Sequence, residues 1–265
     1  MPADLAVLTA DLAAESAELY EVLSVLAESE WAQETPAVGW TIRDQAAHLA
    51  YFDDAAVLSA TDPGRFRSEA DALLALRGDL GERVAQRFRG QSGLEAFGWF
   101  QRARRQYLDV FSGLDPGATL PWYGPDMSVA SSVTARLMET WAHGQDVVDT
   151  LGLVRRPTAR LRHVAHLGVR TFGWSFRVHD LPVPDAPVRV ELTGPDGEAW
   201  TWGPEDAADR VSGPAEDFCL VVTQRRNRAD TALAATGPVA NAWLDVAQAY
   251  AGSPGTGRAP TAEPA

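Results

Sequence analysis

Residues 136–146 have the sequence RLMETWAHGQD, and this stretch decides how the rest of the chain is interpreted. Glu139 and His143 are four residues apart, which places both side chains on one face of an α-helix, and Arg136 and Asp146 fall on the same stripe. A carboxylate and an imidazole one helical turn apart can bind a divalent metal ion if a third ligand comes from elsewhere. Exposed helix faces also carry such residues as a solvated or ion-paired stripe. The spacing alone therefore leaves both interpretations open.

Outward from this stretch, apolar residues at helical spacing predict that most of the chain up to residue 180 is helical. A long amphipathic helix is expected first. The next helix should begin at Thr41, because Thr41 and Asp44 form a T-x-x-D sequence like a capping box. A charge-rich helix with a solvated outer face and three further helices follow. The predicted ranges are 3–30, 41–60, 68–88, 92–114, 128–153 and 158–177.

The pattern changes after residue 180, where three prolines precede an alternation of apolar and polar residues at 188–192. With the turn at 194–197 and the sequence EAWTWG after it, this alternation predicts a β-hairpin. Helices are expected at 215–224 and 237–251. The predicted fold is thus mainly α, with an all-α domain at 1–180, a small α+β domain at 181–252 and a disordered tail at 253–265.

Composition excludes several classes of function. A net charge of −13 argues against nucleic acid or an anionic membrane as the main partner. All 23 basic residues are arginine, which excludes a Schiff-base or P-loop lysine. The single cysteine, Cys219, cannot form a disulfide within the chain and favours a cytoplasmic protein. We expect no signal peptide and no membrane span.

Two separate segments together resemble a known family. GWTIRDQAAHL at 39–49 is similar to the signature G-W-[ST]-x-x-D-x-x-x-H-L of the DinB/YfiT-like metal-binding four-helix bundles. RLMETWAHGQD resembles their second signature, R-x-x-E-x-x-x-H-x-x-D. The C-terminal region looks like the α+β domain of the mycothiol-dependent maleylpyruvate isomerases. The resemblance covers most of the chain and implies a DinB-like bundle followed by that domain.

The resemblance also implies a metal site whose ligands here are His48, Glu139 and His143. Three protein ligands leave one position open for water or substrate, as in catalytic sites. Zinc suits two imidazoles and one carboxylate best, while nickel, iron and cobalt fit the same ligands. Arg136 and Asp146 are candidates for orienting the ligands or for pairing with each other, and a structural salt bridge explains them at least as well.

A metal site of this kind suggests a soft thiolate as the reactive group, because coordination deprotonates a thiol near neutral pH. Cys219 lies in the apolar run DFCLVV and is expected to be buried, so the thiol must come from outside, and the resemblance points to mycothiol. The first hypothesis is S-transfer of mycothiol to a small electrophile. The alternative is cis–trans isomerisation of a maleylpyruvate-like substrate. A third hypothesis is a non-enzymatic protein that binds a metal or an apolar ligand.

In the C-terminal region, QRRNR at 224–228 is a cationic cluster in an acidic chain. The related isomerases have an arginine in this domain that reaches the active site. Arg225 and Arg226 are therefore candidate catalytic residues that bind a carboxylate or a thiol conjugate. Surface arginines at a helix end are the alternative explanation. The expected partners are a small thiol and an electrophile, and the chain could be a monomer or a homodimer.

Overall fold

The computed structural model describes residues 4–76 and 78–261. Inter-residue contacts divide it into two compact units, with the division between Arg155 and Arg156. The start of the predicted first helix at Ala3 and the last four residues of the predicted tail, 262–265, lie outside the described residues.

The described residues of the first unit are mostly helical and include one short hairpin. Four of its helices pack as a bundle in which α1 and α3 each contact both α6 and α7. Its helices are α1 (Leu5–Ser24), α2 (Glu28–Trp31), α3 (Ile42–Thr61), α4 (Pro63–Leu74), α5 (Leu80–Phe88), α6 (Gly93–Phe111) and α7 (Val129–Thr150). The hairpin pairs β1 (Thr119–Leu120) with β2 (Met127–Ser128) between α6 and α7.

Side-chain caps fix where the bundle helices begin. Thr41 is the N-cap of α3, and its hydroxyl oxygen accepts a hydrogen bond from the Asp44 N–H while the Asp44 carboxylate accepts one from the Thr41 N–H. This reciprocal capping box satisfies N–H groups that have no partner within the helix. The helix start predicted at Thr41 is confirmed, and Asp44 completes the capping box. Ser92 and Glu95 form the same box at the start of α6.

The single long helix predicted at 3–30 is wrong, because α1 ends at Ser24 and α2 begins only at Glu28. The break contains neither proline nor glycine, so the sequence gives no local signal for it. Its cause is a tertiary contact: the buried ring of Trp31 packs directly against Gly93, where a Cβ atom would overlap the ring. The charge-rich helix predicted at 68–88 is likewise two helices, α4 and α5.

The second unit combines a four-stranded sheet with short helices. In chain order it contains α8 (Leu161–Arg170), α9 (Phe172–Val178), β3 (Val188–Thr193), β4 (Ala199–Trp202), β5 (Asp209–Pro214), α10 (Ala215–Val222), β6 (Ala234–Thr236) and α11 (Pro238–Val246). The strand order is β4-β3-β5-β6, with β5 parallel to β3 and the other pairs antiparallel. The predicted hairpin is confirmed as β3 and β4.

Helices α8 and α9 belong to the second unit, whereas the sequence analysis placed that segment in the first domain. Contact between α8 and α10 explains the assignment: the Gly168 face of α8 lies against Phe218 and Val222. Beyond α11, residues 253–261 form neither helix nor strand, although Thr261 donates hydrogen bonds to Asp230.

The mainly helical fold, with a bundle followed by a small α+β region, is confirmed. None of the helices within residues 4–76 and 78–261 combines the length and apolarity needed to cross a membrane.

Candidate metal centre

Three side chains from two helices of the bundle converge on one point. His48 is in the second turn of α3, and Glu139 and His143 are one turn apart on α7. His143 Nε2 is 3.0 Å from Glu139 Oε2, and His48 Nε2 is 3.4 Å from the same oxygen. One potential ligand atom from each residue lies within 4.8 Å of the other two. The structure thus brings together the three residues that the resemblance suggests as ligands.

The cluster is mostly shielded from water by aromatic rings. The side chains of His48, Glu139 and His143 are 12%, 21% and 10% exposed. The ring of Trp40 stacks on His143 at 5.8 Å and lies 5.2 Å from His48. The ring of Phe52 lies 4.6 Å from His48. These exposures argue against a solvated surface stripe, since such side chains would be largely exposed.

A polar relay fixes the orientation of His143. Thr35 Oγ1 donates to the Trp40 carbonyl at 2.9 Å, and it accepts a hydrogen bond from Gln45 Nε2 at 2.9 Å. The Gln45 amide oxygen consequently faces His143 Nδ1, to which it is hydrogen-bonded. Because an amide oxygen only accepts, Nδ1 must carry a proton, which leaves Nε2 as the ring nitrogen that contacts Glu139.

Burial and mutual contact shift the ionisation of the cluster. Burial lowers the pKa of His48 to about 4, with a further contribution from nearby His143, so its ring is neutral at pH 7. Burial opposes the ionisation of Glu139, but hydrogen bonds from His143 and His48 outweigh it and hold the pKa of this carboxyl well below its usual range. The site therefore presents an ionised carboxylate and a neutral His48 imidazole.

These groups fit a divalent cation. At 3.0 Å, His143 Nε2 and the anionic Glu139 oxygen need a positive charge between them, either a proton or a metal ion that takes both atoms as ligands. His48 Nδ1 is buried without a hydrogen-bond partner in the described part of the chain. Two imidazoles and one carboxylate match the three-ligand pattern of catalytic zinc sites and suit nickel, iron or cobalt as well.

Arg136 and Asp146 do not join the three potential ligands. Arg136 is buried, its Nε donates to Asp53 Oδ1 at 2.9 Å, and its Nη2 donates to the Leu49 carbonyl at 3.0 Å. Arg136 thus makes a structural salt bridge, and its partner is Asp53, whereas the sequence suggested Asp146. Asp146 is fully buried on α7, and its carbonyl accepts a hydrogen bond from Thr150 Oγ1 at 2.8 Å.

Asp53 links two buried guanidinium groups. Arg104 on α6 makes two hydrogen bonds to its carboxylate, at 2.7 and 3.1 Å, while Arg136 binds it from α7. Arg104 Nη2 also donates to Thr140 Oγ1 at 3.0 Å. We call Asp53, Arg104 and Arg136 the buried ion cluster, and it ties together three of the four bundle helices.

Arg225 and Arg226 lie in the second unit, directly after α10, whereas the three potential ligands lie in the first. Arg225 Nη1 donates to the Thr223 carbonyl at 2.7 Å and Arg226 Nη1 to the Arg225 carbonyl at 2.8 Å. Arg226 also lines a cavity of about 410 Å³ within this unit. Arg228 and Arg258 lie in the same wall.

Gln45, Thr35 and the buried ion cluster were not predicted from the sequence. Gln45 is inside the first signature, three residues before His48. A polar residue so close to a proposed ligand could have been noted as a candidate for orienting a ligand. Its partner His143 is 98 residues away. No spacing rule connects the two, because their contact exists only once α3 and α7 pack.

Comparison with known proteins identifies relatives of both regions. Residues 12–148, just over half of the chain, match the model of the mycothiol maleylpyruvate isomerase N-terminal domain. Residues 184–236, which span β3 to β6, match a model described as wyosine base formation.

Two uncharacterized proteins from strains of Mycobacterium tuberculosis are each 45% identical over 249 residues, covering 94% of this chain and 97% of the relative. Two crystal structures of the mycothiol-dependent maleylpyruvate isomerase, one of them a mutant, superpose with TM-scores of 0.57 and 0.59. Each covers 88% of this chain and 93% of the other, at 14% and 13% identity. At this identity the likeness shows a shared fold.

Proposed function

Since the chain belongs to the family of the mycothiol maleylpyruvate isomerase N-terminal domain, we propose that it is a metal-dependent enzyme with mycothiol as thiol cosubstrate. His48, Glu139 and His143 are the proposed metal ligands. The observation that supports them best is the convergence of their three ligand atoms within 4.8 Å in a shielded part of the bundle. Zinc is the proposed ion, and nickel, iron and cobalt would fit the same donors.

Such an ion, when bound, would supply a thiolate near neutral pH, because coordination lowers the pKa of a thiol. Cys219 is not suited to provide that thiol. It is fully buried, and burial, reinforced by nearby Glu216, raises the pKa of its thiol well above the usual value. The thiol is therefore proposed to come from solution, and the lone buried cysteine also supports the proposed cytoplasmic location.

The protein residues around the ligands have separate roles in this proposal. Gln45 keeps the proton of His143 on Nδ1, so that Nε2 is available as a ligand. Trp40 and Phe52 exclude water from the imidazoles. Water exclusion strengthens electrostatic interactions at the site and reduces hydrolytic side reactions.

Of the reactions considered, cis–trans isomerisation is now better supported than S-transfer, which the sequence analysis placed first. The family match names an isomerase. In the proposed reaction the thiolate adds to one carbon of a conjugated C=C bond, and the electron pair moves onto the conjugated carbonyl oxygen. Rotation about the resulting single bond and expulsion of the thiolate give the trans isomer. Thiol is regenerated and no redox change occurs.

Arg225 and Arg226 are proposed to bind a carboxylate of the substrate or of the thiol. Support comes from the second unit alone, where Arg226, Arg228 and Arg258 line the cavity of about 410 Å³. Guanidinium groups bind carboxylates through paired, charge-assisted hydrogen bonds. Asp245 in the same wall pairs with Arg228 at 2.8 Å, and the excess of arginine over this one carboxylate suits an anionic ligand.

Metal content tests the ligand assignment. We expect about one equivalent of metal in the purified chain and much less in His48→Ala, Glu139→Ala and His143→Ala, since two remaining ligands bind weakly. Elemental analysis after dialysis provides the measurement, and circular dichroism checks the fold. His166→Ala, which removes an exposed histidine of the second unit, is the matched control. Full metal occupancy in the three ligand variants together would overturn the assignment.

Activity tests the chemistry. The metal-loaded chain is incubated with mycothiol and a cis-configured conjugated keto acid such as maleylpyruvate, and the products are separated by chromatography and mass spectrometry. Isomerisation gives a product of unchanged mass and consumes no thiol, whereas S-transfer gives a thioether whose mass includes the thiol. We expect the first result, dependent on both metal and thiol. If a metal-loaded protein forms neither product, the proposed isomerisation is contradicted and the hypothesis of a binding protein is favoured.

A further inference from the structure

A second cavity, of about 360 Å³, lies within the first unit beside α3. Four helices and the β1–β2 connection contribute to its wall, and none of the three proposed metal ligands does. Five aromatic rings face it, from Tyr51, Phe66, Phe88, Trp99 and Tyr123. We call this space the aromatic cavity. Its volume lies in the range of small-molecule sites, about 300–1,000 Å³.

The aromatic cavity contains one half-buried carboxylate, that of Asp54 on α3. Trp99 Nε1 donates to Asp54 Oδ2 at 2.6 Å. This bond fixes the carboxylate among the rings and occupies only one of its two oxygens. Burial raises the pKa of Asp54, with the Trp99 hydrogen bond opposing the shift. A cation bound beside it would favour the ionised form.

The remaining charges belong to the rim. Arg65 and Glu69 are more than half exposed and neutralise each other through a contact of 2.7 Å. Arg87 is exposed, and its guanidinium lies over the Phe88 ring at 5.6 Å from the centroid. Arg87 therefore already makes a cation–π contact with one of the five rings, as expected from the negative potential of aromatic faces.

From this geometry we propose that the aromatic cavity binds a small organic cation, namely a protonated amine or a quaternary ammonium group on a compact hydrocarbon body. Ring faces attract cations, and the effect strengthens when the cation is removed from water. The Asp54 carboxylate supplies the opposite charge at short range. An anion of the same size would be repelled by both the rings and the carboxylate, while the rim guanidinium groups are engaged by Glu69 and by the Phe88 ring.

The proposal is independent of the metal site and of the thiol chemistry. It requires neither His48, Glu139 nor His143, and binding can be measured without turnover. Its failure would leave the proposed isomerase activity untouched, and a failure of that activity would leave the cavity and Asp54 unchanged.

Titration calorimetry on the full chain at pH 7 tests the proposal with three probes of similar shape: 2-phenylethylammonium, 2-phenylethanol and phenylacetate. We expect binding of the ammonium at least tenfold tighter than that of the alcohol, and no measurable binding of phenylacetate. Asp54→Asn should weaken ammonium binding at least tenfold, while Asn retains an oxygen acceptor for Trp99 Nε1. Asp109→Asn, at an exposed position on α6, is the matched control and should bind as the unmodified chain does.

Arg87→Gln provides a second variant that leaves the cavity walls in place. Removing this guanidinium should tighten ammonium binding several-fold, since a competing positive charge is lost from Phe88. Equal affinity for the ammonium and the alcohol, an unchanged Kd in Asp54→Asn, or no ammonium binding in either the unmodified chain or Arg87→Gln would each overturn the proposal.

Discussion

The orientation of His143, a proposed metal ligand, is fixed by residues that are not themselves proposed to bind the metal. Its Nδ1 faces the Gln45 amide oxygen, and Gln45 is in turn oriented by Thr35 at 2.9 Å. Hydrogen bonds of this kind set the tautomer and the basicity of ligating histidines. Gln45 is therefore expected to matter for metal affinity although it cannot itself replace a ligand.

We predict that Gln45→Leu lowers metal affinity by about 10–100-fold, the usual effect of losing such a partner. Leucine fills a similar volume but cannot accept the Nδ1–H, so both His143 tautomers become accessible. Competition with a chelating indicator dye measures the affinity. Gln106→Leu, an exposed substitution on α6, serves as control and should leave it unchanged. Unaltered affinity in Gln45→Leu would mean that the relay does not position His143.

Among the helices, the buried ion cluster holds α3, α6 and α7 together. Asp53 is completely buried and receives hydrogen bonds from Arg104 and Arg136. Two guanidinium groups and one carboxylate leave this cluster with one excess positive charge, one turn of α7 from Glu139. The Asp53 carboxylate compensates the positive charge of both arginines, and its loss is expected to be costly because an uncompensated charge in the core is unfavourable.

Asp53→Asn should consequently destabilise the chain by about 3–5 kcal/mol, the range for breaking a buried ion pair from one side. Asparagine keeps the shape and removes the charge that both arginines need. Urea unfolding followed by circular dichroism gives the free energy of unfolding. The exposed Asp109→Asn should change it by no more than about 0.5 kcal/mol. A loss in Asp53→Asn as small as that of the control would show that the cluster is not a stabilising link.

Helices and strands that depend on neighbouring residues were predicted better than those that depend on residues far away in the sequence. Thr41 and Ser92 lie next to the helices they cap, so short sequence patterns located α3 and α6 well. The hairpin β3–β4 was predictable for the same reason. β5 was not predicted, because its sequence DRVSGP lacks a run of apolar or β-branched residues and its partner β3 is reached only by a parallel pairing.

The same contrast applies to the candidate site. His48, Glu139 and His143 could be proposed from two signatures whose internal spacings are local. Asp53 could not be linked to Arg104 or Arg136, since 51 and 83 residues separate them. Neither could the aromatic cavity be predicted, because its rings come from five elements distributed along the first unit.

At the scale of the whole molecule, the reactivity of the protein's own thiol depends on one residue. Cys219 is the only cysteine of the chain and is fully buried on α10, where its Sγ contacts the Leu161 carbonyl oxygen at 3.5 Å. A thiol in this environment is a structural core group, because the thiolate is the reactive form. Any thiol-dependent activity therefore has to use an external thiol.

We predict that the native chain shows no rapidly reacting thiol toward Ellman's reagent at pH 8, and one per chain in concentrated guanidinium chloride. Burial denies access to the sulfur and keeps it protonated. Absorbance at the reagent's product band measures the reaction. Cys219→Ala should give none under either condition. Rapid reaction of the native chain would show an accessible thiol and would reopen Cys219 as a nucleophile.

The buried ion cluster also sets how the first unit opens. Separating α6 or α7 from α3 would leave a guanidinium group in a partly dry core without its carboxylate. Partial opening of the bundle therefore costs more free energy than the loss of apolar contacts alone. Regions whose partial opening is costly behave as one cooperative unit in hydrogen exchange. The amides of these three helices should hence exchange with a common opening free energy, so that the proposed metal ligands on α3 and α7 would lie on a scaffold that fluctuates as a single body.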